Sequence, residues 1–256
     1  MYEILFYFYI YGFLGWCTEV AYAGVKEGRF VNRGFLNGPI CPIYGVGVSI
    51  VILFLGNYKE HVVILYLASV ILVTILEWMT GLILEKVFHH RWWDYSNRPL
   101  NIHGYVCLLF SMIWGAACVL IVKFIHPLIQ VGIDYVPIIV GVIVLVVCSL
   151  GMFADLWVTT VTVQKMNRGL EKMQEIAKEL HRISDELGES IFQEVSEAKE
   201  KTEEVQQKIF ELKDRYQDLK HRGTRVSRRF MKAFPKMQSK DYKESFEDLR
   251  SYLKRK

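Results

Sequence analysis

The sequence predicts an all-α fold: a polytopic helical membrane protein with about five transmembrane helices, built on an internal two-helix repeat and followed by a long cytoplasmic coiled-coil-like helical tail. Three observations carry that expectation. Apolar residues make up 52% of the 256 positions and the mean hydropathy is +0.20, while charge concentrates in one polar tract after position 163. The stretch Gly15-Trp-Cys-Thr-Glu19, 18 residues, then Gly38-Pro-Ile-Cys41 recurs as Gly81-Leu-Ile-Leu-Glu85, 18 residues, then Gly104-Tyr-Val-Cys107, a shift of 66 that superposes all four anchors. Beyond residue 163, apolar residues recur in alternating steps of four and three, the spacing of a helix with one seam.

The membrane domain is expected over 1–163, with one repeat over about 1–57, a second over about 61–125 and a fifth helix over about 136–163. A span needs about 20 apolar residues, and segments near 2–24, 40–57, 61–88, 102–125 and 136–163 qualify. The first begins at the initiator methionine without a basic leader or a small-residue cleavage site, and reads as a retained span. Connectors 25–38 and 86–101 carry three Lys or Arg each, against Lys59 alone in 57–61 and none in 124–135. The positive-inside rule then puts both connectors and the tail in the cytoplasm and the amino terminus outside, the parity five spans require.

Glu19, Glu77, Glu85 and Asp155 lie in otherwise apolar sequence. A carboxylate at mid-bilayer costs about 2.5–3.5 kcal/mol on insertion scales, so each needs a partner or a polar cavity. Groups able to neutralise them follow in the connectors: Arg29, Arg33 and Asn37 in the first, Arg91, Asp94, Arg98, Asn101 and His103 in the second. Two readings stand. Either arginine and carboxylate form clasps that tie folded connectors to the helices, or the cluster lines a path for an ion, a proton or a polar substrate where the repeats meet. Trp92, Trp93 and Tyr95 read as an interfacial aromatic belt, and His89, His90 and His103 as headgroup contacts, with no metal or other cofactor expected. The five cysteines contain no C-x-x-C pair and read as small buried hydrophobes.

These residues also carry a resemblance. Gly12-Phe-Leu-Gly-Trp16, Glu19, Gly28-Arg29 and Asn32-Arg-Gly-Phe-Leu-Asn-Gly-Pro-Ile-Cys-Pro-Ile-Tyr-Gly45, then Leu76-Glu77, Thr80-Gly81, Glu85, Trp93-Asp-Tyr-Ser96, Asn101 to Gly104, Cys107-Leu108 and Ser111-x-x-Trp-Gly115, are similar to the bacterial family called putative ABC-transporter type IV permeases. The likeness covers about residues 5–120 and implies a multi-spanning transport permease. The sequence contains no G-x-x-x-x-G-K-[ST] loop to cradle nucleotide phosphates, so an ABC system would need a separate ATPase chain. Five spans are few for a complete pathway, and a homo-oligomer is expected.

The coiled-coil-like helix is expected over 164–222, its seam running from Met166, Leu170, Met173, Ala177, Leu180 and Ser184 to Tyr216 and Leu219, with Gly223 as its cap. A parallel coil with a second copy, a hairpin turning at Leu187-Gly188, or a partner's helix would cover that seam. Residues 223–256 form a basic tail ending in a short amphipathic helix. Seven Lys or Arg and no acid between Arg222 and Lys240, interleaved with Phe230, Met231 and Phe234, suit anionic membrane lipid, and no nucleic acid is expected. No nucleophile and base fall in a recognisable signature, so the chain reads as a non-enzyme. A membrane-anchored scaffold or sensor whose tail recruits partner proteins is the alternative to a permease.

Overall fold

The computed structural model describes residues 2–193, 198–221 and 225–255, without the side chains of 187–193, 198–203, 225–226 and 254–255. The expected cap Gly223 lies outside the described residues. The chain is mostly helical and divides into two compact units, Met1–Thr160 with Arg229–Met237, and Val161–Arg228 with Gln238–Lys256.

In the first unit, α1 (Tyr2–Glu27) packs along α2 (Pro42–Leu55), and α3 (Val62–Phe88) along α4 (Leu108–Leu120). Pro42 occupies the first turn of α2, where its missing N–H costs no intrahelical bond. A π-turn at Ile121–Ile125 joins α4 to α5 (His126–Asp134). Pro127 lacks the N–H that would continue an α-helical ladder, and the wider turn lets the helix pass it. The helix therefore continues through 126–134, where the sequence predicts a loop. After Pro137, α6 (Ile138–Gln193) begins.

Four helical segments are long and apolar enough to cross a membrane: Tyr2–Glu27, Val62–Phe88, Leu108–Asp134 and Ile138–Glu186. The apolar helix Pro42–Tyr58 is shorter; its 17 residues rise about 26 Å, just under the roughly 30 Å hydrocarbon core. Most of the Val62–Phe88 surface is apolar yet uncovered, with Ile71, Ile75 and Ile83 all more than half exposed, as a lipid-facing helix requires. The apolar helix expected over 102–125 starts at Leu108 and not near 102, because residues 101–107 form a tight hairpin pairing Asn101 with Cys107 and Ile102 with Val106. Its central residues His103 (φ 54) and Gly104 (φ 73) both have positive φ, the pattern of a type I′ turn.

Two apolar clusters hold these helices together. Phe6, Tyr7 and Tyr11 of α1 meet Val48, Ile133 and Leu145; Val51 and Leu55 of α2 meet Leu65, Cys118 and Val122. Tyrosine hydroxyls in the first cluster find partners: Tyr9 donates to Ser149 at 2.8 Å, and Tyr7 to Gln130.

In the second unit the seam is divided between two helices. α6 ends at Gln193 and α7 (Ala198–His221) follows; Lys208 on α7 reaches Glu179 on α6 at 2.8 Å, both about a dozen residues from the junction, so the two run antiparallel. The alternative turn at Leu187-Gly188 is not formed there: both residues lie inside α6. Tyr216 sits beside Ala177, Leu180 and Ser184, so the face expected to meet a second copy meets the same chain. The amphipathic helix α9 (Lys243–Arg255) packs on α7 through Asp248, which accepts from Tyr216 (2.7 Å) and pairs with Lys220 (2.5 Å). A nine-residue helix α8 (Arg225–Ala233) lies between α7 and α9 in sequence.

The α1–α2 contact sets a strict steric limit. A Cβ on Gly45 would lie 2.4 Å from the Phe8 carbonyl oxygen, a backbone atom that cannot turn aside. Gly45→Ala is expected to destabilise the purified protein by about 1–3 kcal/mol in thermal unfolding. Gly24→Ala, with nothing within 4 Å of the new methyl, is expected to be neutral or stabilising.

Candidate functional site

Each carboxylate near the connectors is held by a small set of donors. In the first connector, Gly15 lets the Tyr44 ring lie across α1, since a Cβ there would fall 2.4 Å from the ring. One turn further along, Glu19 accepts the Tyr44 hydroxyl at 2.7 Å, and Arg33 Nε lies 3.2 Å from its other oxygen. The Arg33 guanidinium also covers the Tyr22 ring at 5.1 Å. Asn32 braces the loop: its oxygen accepts from Trp16 Nε1 (2.8 Å) and from the Gly34 amide (3.0 Å), and its nitrogen donates to the Asn37 carbonyl (2.7 Å).

The second connector repeats the arrangement. A Cβ on Gly81 would lie 2.8 Å from the Tyr105 ring. Glu85, again one turn on, accepts the Tyr105 hydroxyl at 2.8 Å and the Arg91 Nε at 3.1 Å, and the Arg91 guanidinium covers that ring at 5.1 Å. Asn101 is the brace here, donating to the Ser96 and Arg98 carbonyls and accepting from the Gly104 amide. Gly104 is required twice over, by its positive φ and because a Cβ would lie 2.4 Å from Ser96 Oγ and 2.8 Å from Asp94 Oδ1. Burial alone would raise the Asp94 carboxyl, but hydrogen bonds from the Ser96 hydroxyl and amide, with the charges of Arg91 and Lys236, hold it below its ordinary value.

Asp155, in the part of α6 that belongs to this unit, grips the first connector directly. One oxygen accepts the Gly38 amide (2.7 Å); the other accepts the Asn37 side-chain nitrogen (2.7 Å) and amide (3.2 Å). Thr159, one turn along α6, donates to the same carboxylate at 3.3 Å.

Glu77 differs from the other three. Its carboxylate has no hydrogen bond or ion pair among the described residues, yet it lies within electrostatic range of the Tyr44 and Tyr95 phenols. The Tyr95 phenol is pushed up by burial and then by Glu77, Cys107 and Glu19, with Arg33 opposing.

Of the residues singled out by sequence, Glu19 with Arg33, Asn37 with Asp155, and Glu85 with Asp94 and Asn101 are assembled into three holdfasts. Arg29 stands apart: 56% exposed, it pairs with Glu27 (2.9 Å) at the end of α1 and with none of Glu19, Glu77, Glu85 and Asp155. The Arg98 and His103 side chains are exposed. Trp92 does not present its ring at the surface, as a belt residue would; it is 3% exposed inside an aromatic cluster with Phe35 and Phe88. Sequence reasoning missed the hydroxyls of Tyr44, Tyr105 and Thr159, which look like ordinary span residues; the glycines at 15 and 81 were the available signal, each the seat of one of those rings.

A helical membrane protein with polar connectors clasped at one end of its spans is the class these features define. The chain belongs to the family described as Putative ABC-transporter type IV, whose sequence model matches residues 6–160. No curated protein and no solved structure matches the chain.

The clasp at Glu85 gives a quantitative expectation. Glu85→Gln takes from Arg91 the nearer of its two carboxylates; because Arg91 is 28% exposed and keeps Asp94 at 3.6 Å, the cost should be about 2 kcal/mol, below the roughly 3–5 kcal/mol of a fully buried pair. Arg29→Gln should stay within about 0.5 kcal/mol. The depressed Asp94 carboxyl contributes stability above its ordinary value of about 4, and that contribution is lost as pH falls through the lower native value. Asp94→Asn should therefore flatten the acid limb of the unfolding midpoint measured against pH.

Proposed function

We propose that this chain is the membrane-spanning component of a transport system, with its cargo path passing Glu77. The observation that carries the reading is the contrast among the four acids of the spans: three accept hydrogen bonds from other side chains and amides, and Glu77 alone has no partner among the described residues. A carboxylate left unmatched in an apolar helix costs about 2.5–3.5 kcal/mol, a cost that binding a proton, a cation or a polar cargo group offsets. The four anchors that superpose under a shift of 66 support an internal duplication, and a path between two related halves is a recurrent plan in transporters. In this reading Pro42–Tyr58 is the fifth span, the amino terminus is outside and the tail cytoplasmic, as the connector cations require. The chain carries no covalent chemistry, assembles with further copies through its membrane unit, and takes its energy from a separate ATPase chain, consistent with the family description.

A scaffold reading has one observation in its favour: the second unit is a folded helical body in its own right, fixed by Glu179–Lys208 and by Asp248 with Tyr216 and Lys220. The two readings separate on purification from native membranes in mild detergent. A transport component should recover a nucleotide-hydrolysing chain in fixed ratio. Glu77→Gln should keep that assembly and its detergent stability while removing the cellular phenotype. Asp248→Lys, which disrupts only the second unit, should leave a transport phenotype intact and abolish a scaffold's partners. Recovery of soluble partners alone, lost with Asp248→Lys, would overturn the permease reading.

A further inference from the structure

Residues Arg229–Met237 follow the helices of the second unit in sequence and yet belong to the first. Arg229 donates from its two terminal nitrogens to the Gly34 carbonyl (2.6 Å) and the Phe35 carbonyl (2.9 Å) of the first connector. Phe230, fully buried, packs edge-on to Trp92 of the second connector at 5.2 Å and reaches Phe35 at 6.3 Å, and Phe234 meets Trp92 at 5.0 Å. Ala233 completes a small cluster with Ala23 near the end of α1 and Val31. One short helix thus touches a span and both connectors.

The first connector is held from two sides. Its amides at 37 and 38 donate to Asp155, while its carbonyls at 34 and 35 accept from Arg229. An anion stands at the donor end of the loop and a cation at its acceptor end, so each charge orients the peptide groups the other needs. Burial pushes the Arg229 guanidinium down to about 10, with Asp155 opposing, which leaves it charged at neutral pH.

We propose that residues 229–237 are a displaceable latch, seated in a site on the two connectors that recognises a basic-aromatic helix, Arg229-Phe230-x-x-x-Phe234, and that its seating sets the position of the first connector. Displacement is favoured by how the latch is held. Arg229 bonds only neutral carbonyls, and its Nε is buried without a hydrogen-bond partner among the described residues. The cations Arg228, Lys232 and Lys236 face solvent. The segment is also flanked on both sides in sequence by residues of the second unit, so an event that pulls on 228 or 238 loads the latch directly. This inference does not depend on what the protein carries.

Trypsin cleavage after Arg29 and Arg33, read by mass spectrometry on the full chain in detergent, reports the connector. Arg229→Ala should raise that cleavage rate at least tenfold, Arg229→Lys by less, and Asp155→Asn comparably to Arg229→Ala, with the double variant no faster than the faster single. A synthetic peptide covering 225–240 should bind the folded Arg229→Ala protein and restore protection, whereas the same peptide carrying Arg229→Ala should not. Unchanged cleavage in Arg229→Ala, additive effects in the double variant, or no protection by the peptide while the thermal unfolding midpoint stays within a few degrees of the parent would each overturn the proposal. A tenfold opening reversed by peptide is a result that a merely structural contact would not give.

Discussion

The arrangement depends on one constraint: a carboxylate in an apolar helix must find donors, and the connectors, with a hydroxyl from a neighbouring helix, supply them. Glu19, Glu85 and Asp155 each sit close to a connector end of a span, and each is met by a loop group: the Arg33 guanidinium, the Tyr105 hydroxyl and the Gly38 amide. The dependence runs both ways. A connector rich in exposed amides and carbonyls is tolerable at a membrane boundary only if its polar groups are satisfied inside the protein. The acids thus organise the loops as much as the loops neutralise the acids.

Glycine is what makes the clasp geometry reachable. At both Gly15 and Gly81 the absence of a side chain lets a tyrosine ring lie flat on the helix, and the hydroxyl then falls on a carboxylate four residues on. The two tyrosines do not occupy equivalent positions under the shift of 66: Tyr44 lies within α2, Tyr105 in the hairpin turn before α4. The same three-part contact of ring on glycine, hydroxyl on glutamate and guanidinium on glutamate is nonetheless reached in both. What recurs is the physical solution as well as the motif, and the two need not be drawn from the same sequence positions.

This explains which parts were legible in the sequence. Four long apolar helices were, because hydrophobic length is a one-dimensional property; so were the acids, because a charge in an apolar run is conspicuous. Arg33, Asn37, Asp94 and Asn101 were named because they are polar and near in sequence. Tyr44 and Tyr105 were not, since a tyrosine in an apolar segment has many uses, and only the fold shows which phenol meets which carboxylate. The hairpin 101–107 was hidden for a similar reason: its turn depends on positive φ at His103 and Gly104, while the surrounding residues read as the start of a span. The tail was read as one helix because 4–3 spacing continues across 190–200, and periodicity cannot distinguish a seam covered by a second copy from one covered by the same chain folding back.

The clearest departure from the linear reading is the basic stretch near 230. By composition Phe230, Met231 and Phe234 among Lys and Arg describe a lipid-binding segment, and by position they follow two soluble helices. Instead Phe230 and Met231 are buried within the membrane-proximal unit, and Arg229 spends its hydrogen bonds on two loop carbonyls. The consequence reaches beyond this segment. A truncation anywhere in the tail before residue 229 removes the cation opposite Asp155 and uncovers Trp92, so it alters the connectors even though every span is retained. Loss of function on truncation would then be uninformative about whether the second unit recruits anything. A substitution such as Asp248→Lys, which leaves 229–237 in place, isolates that question, because the chain runs through the first unit twice and only residue-by-residue changes can address one unit at a time.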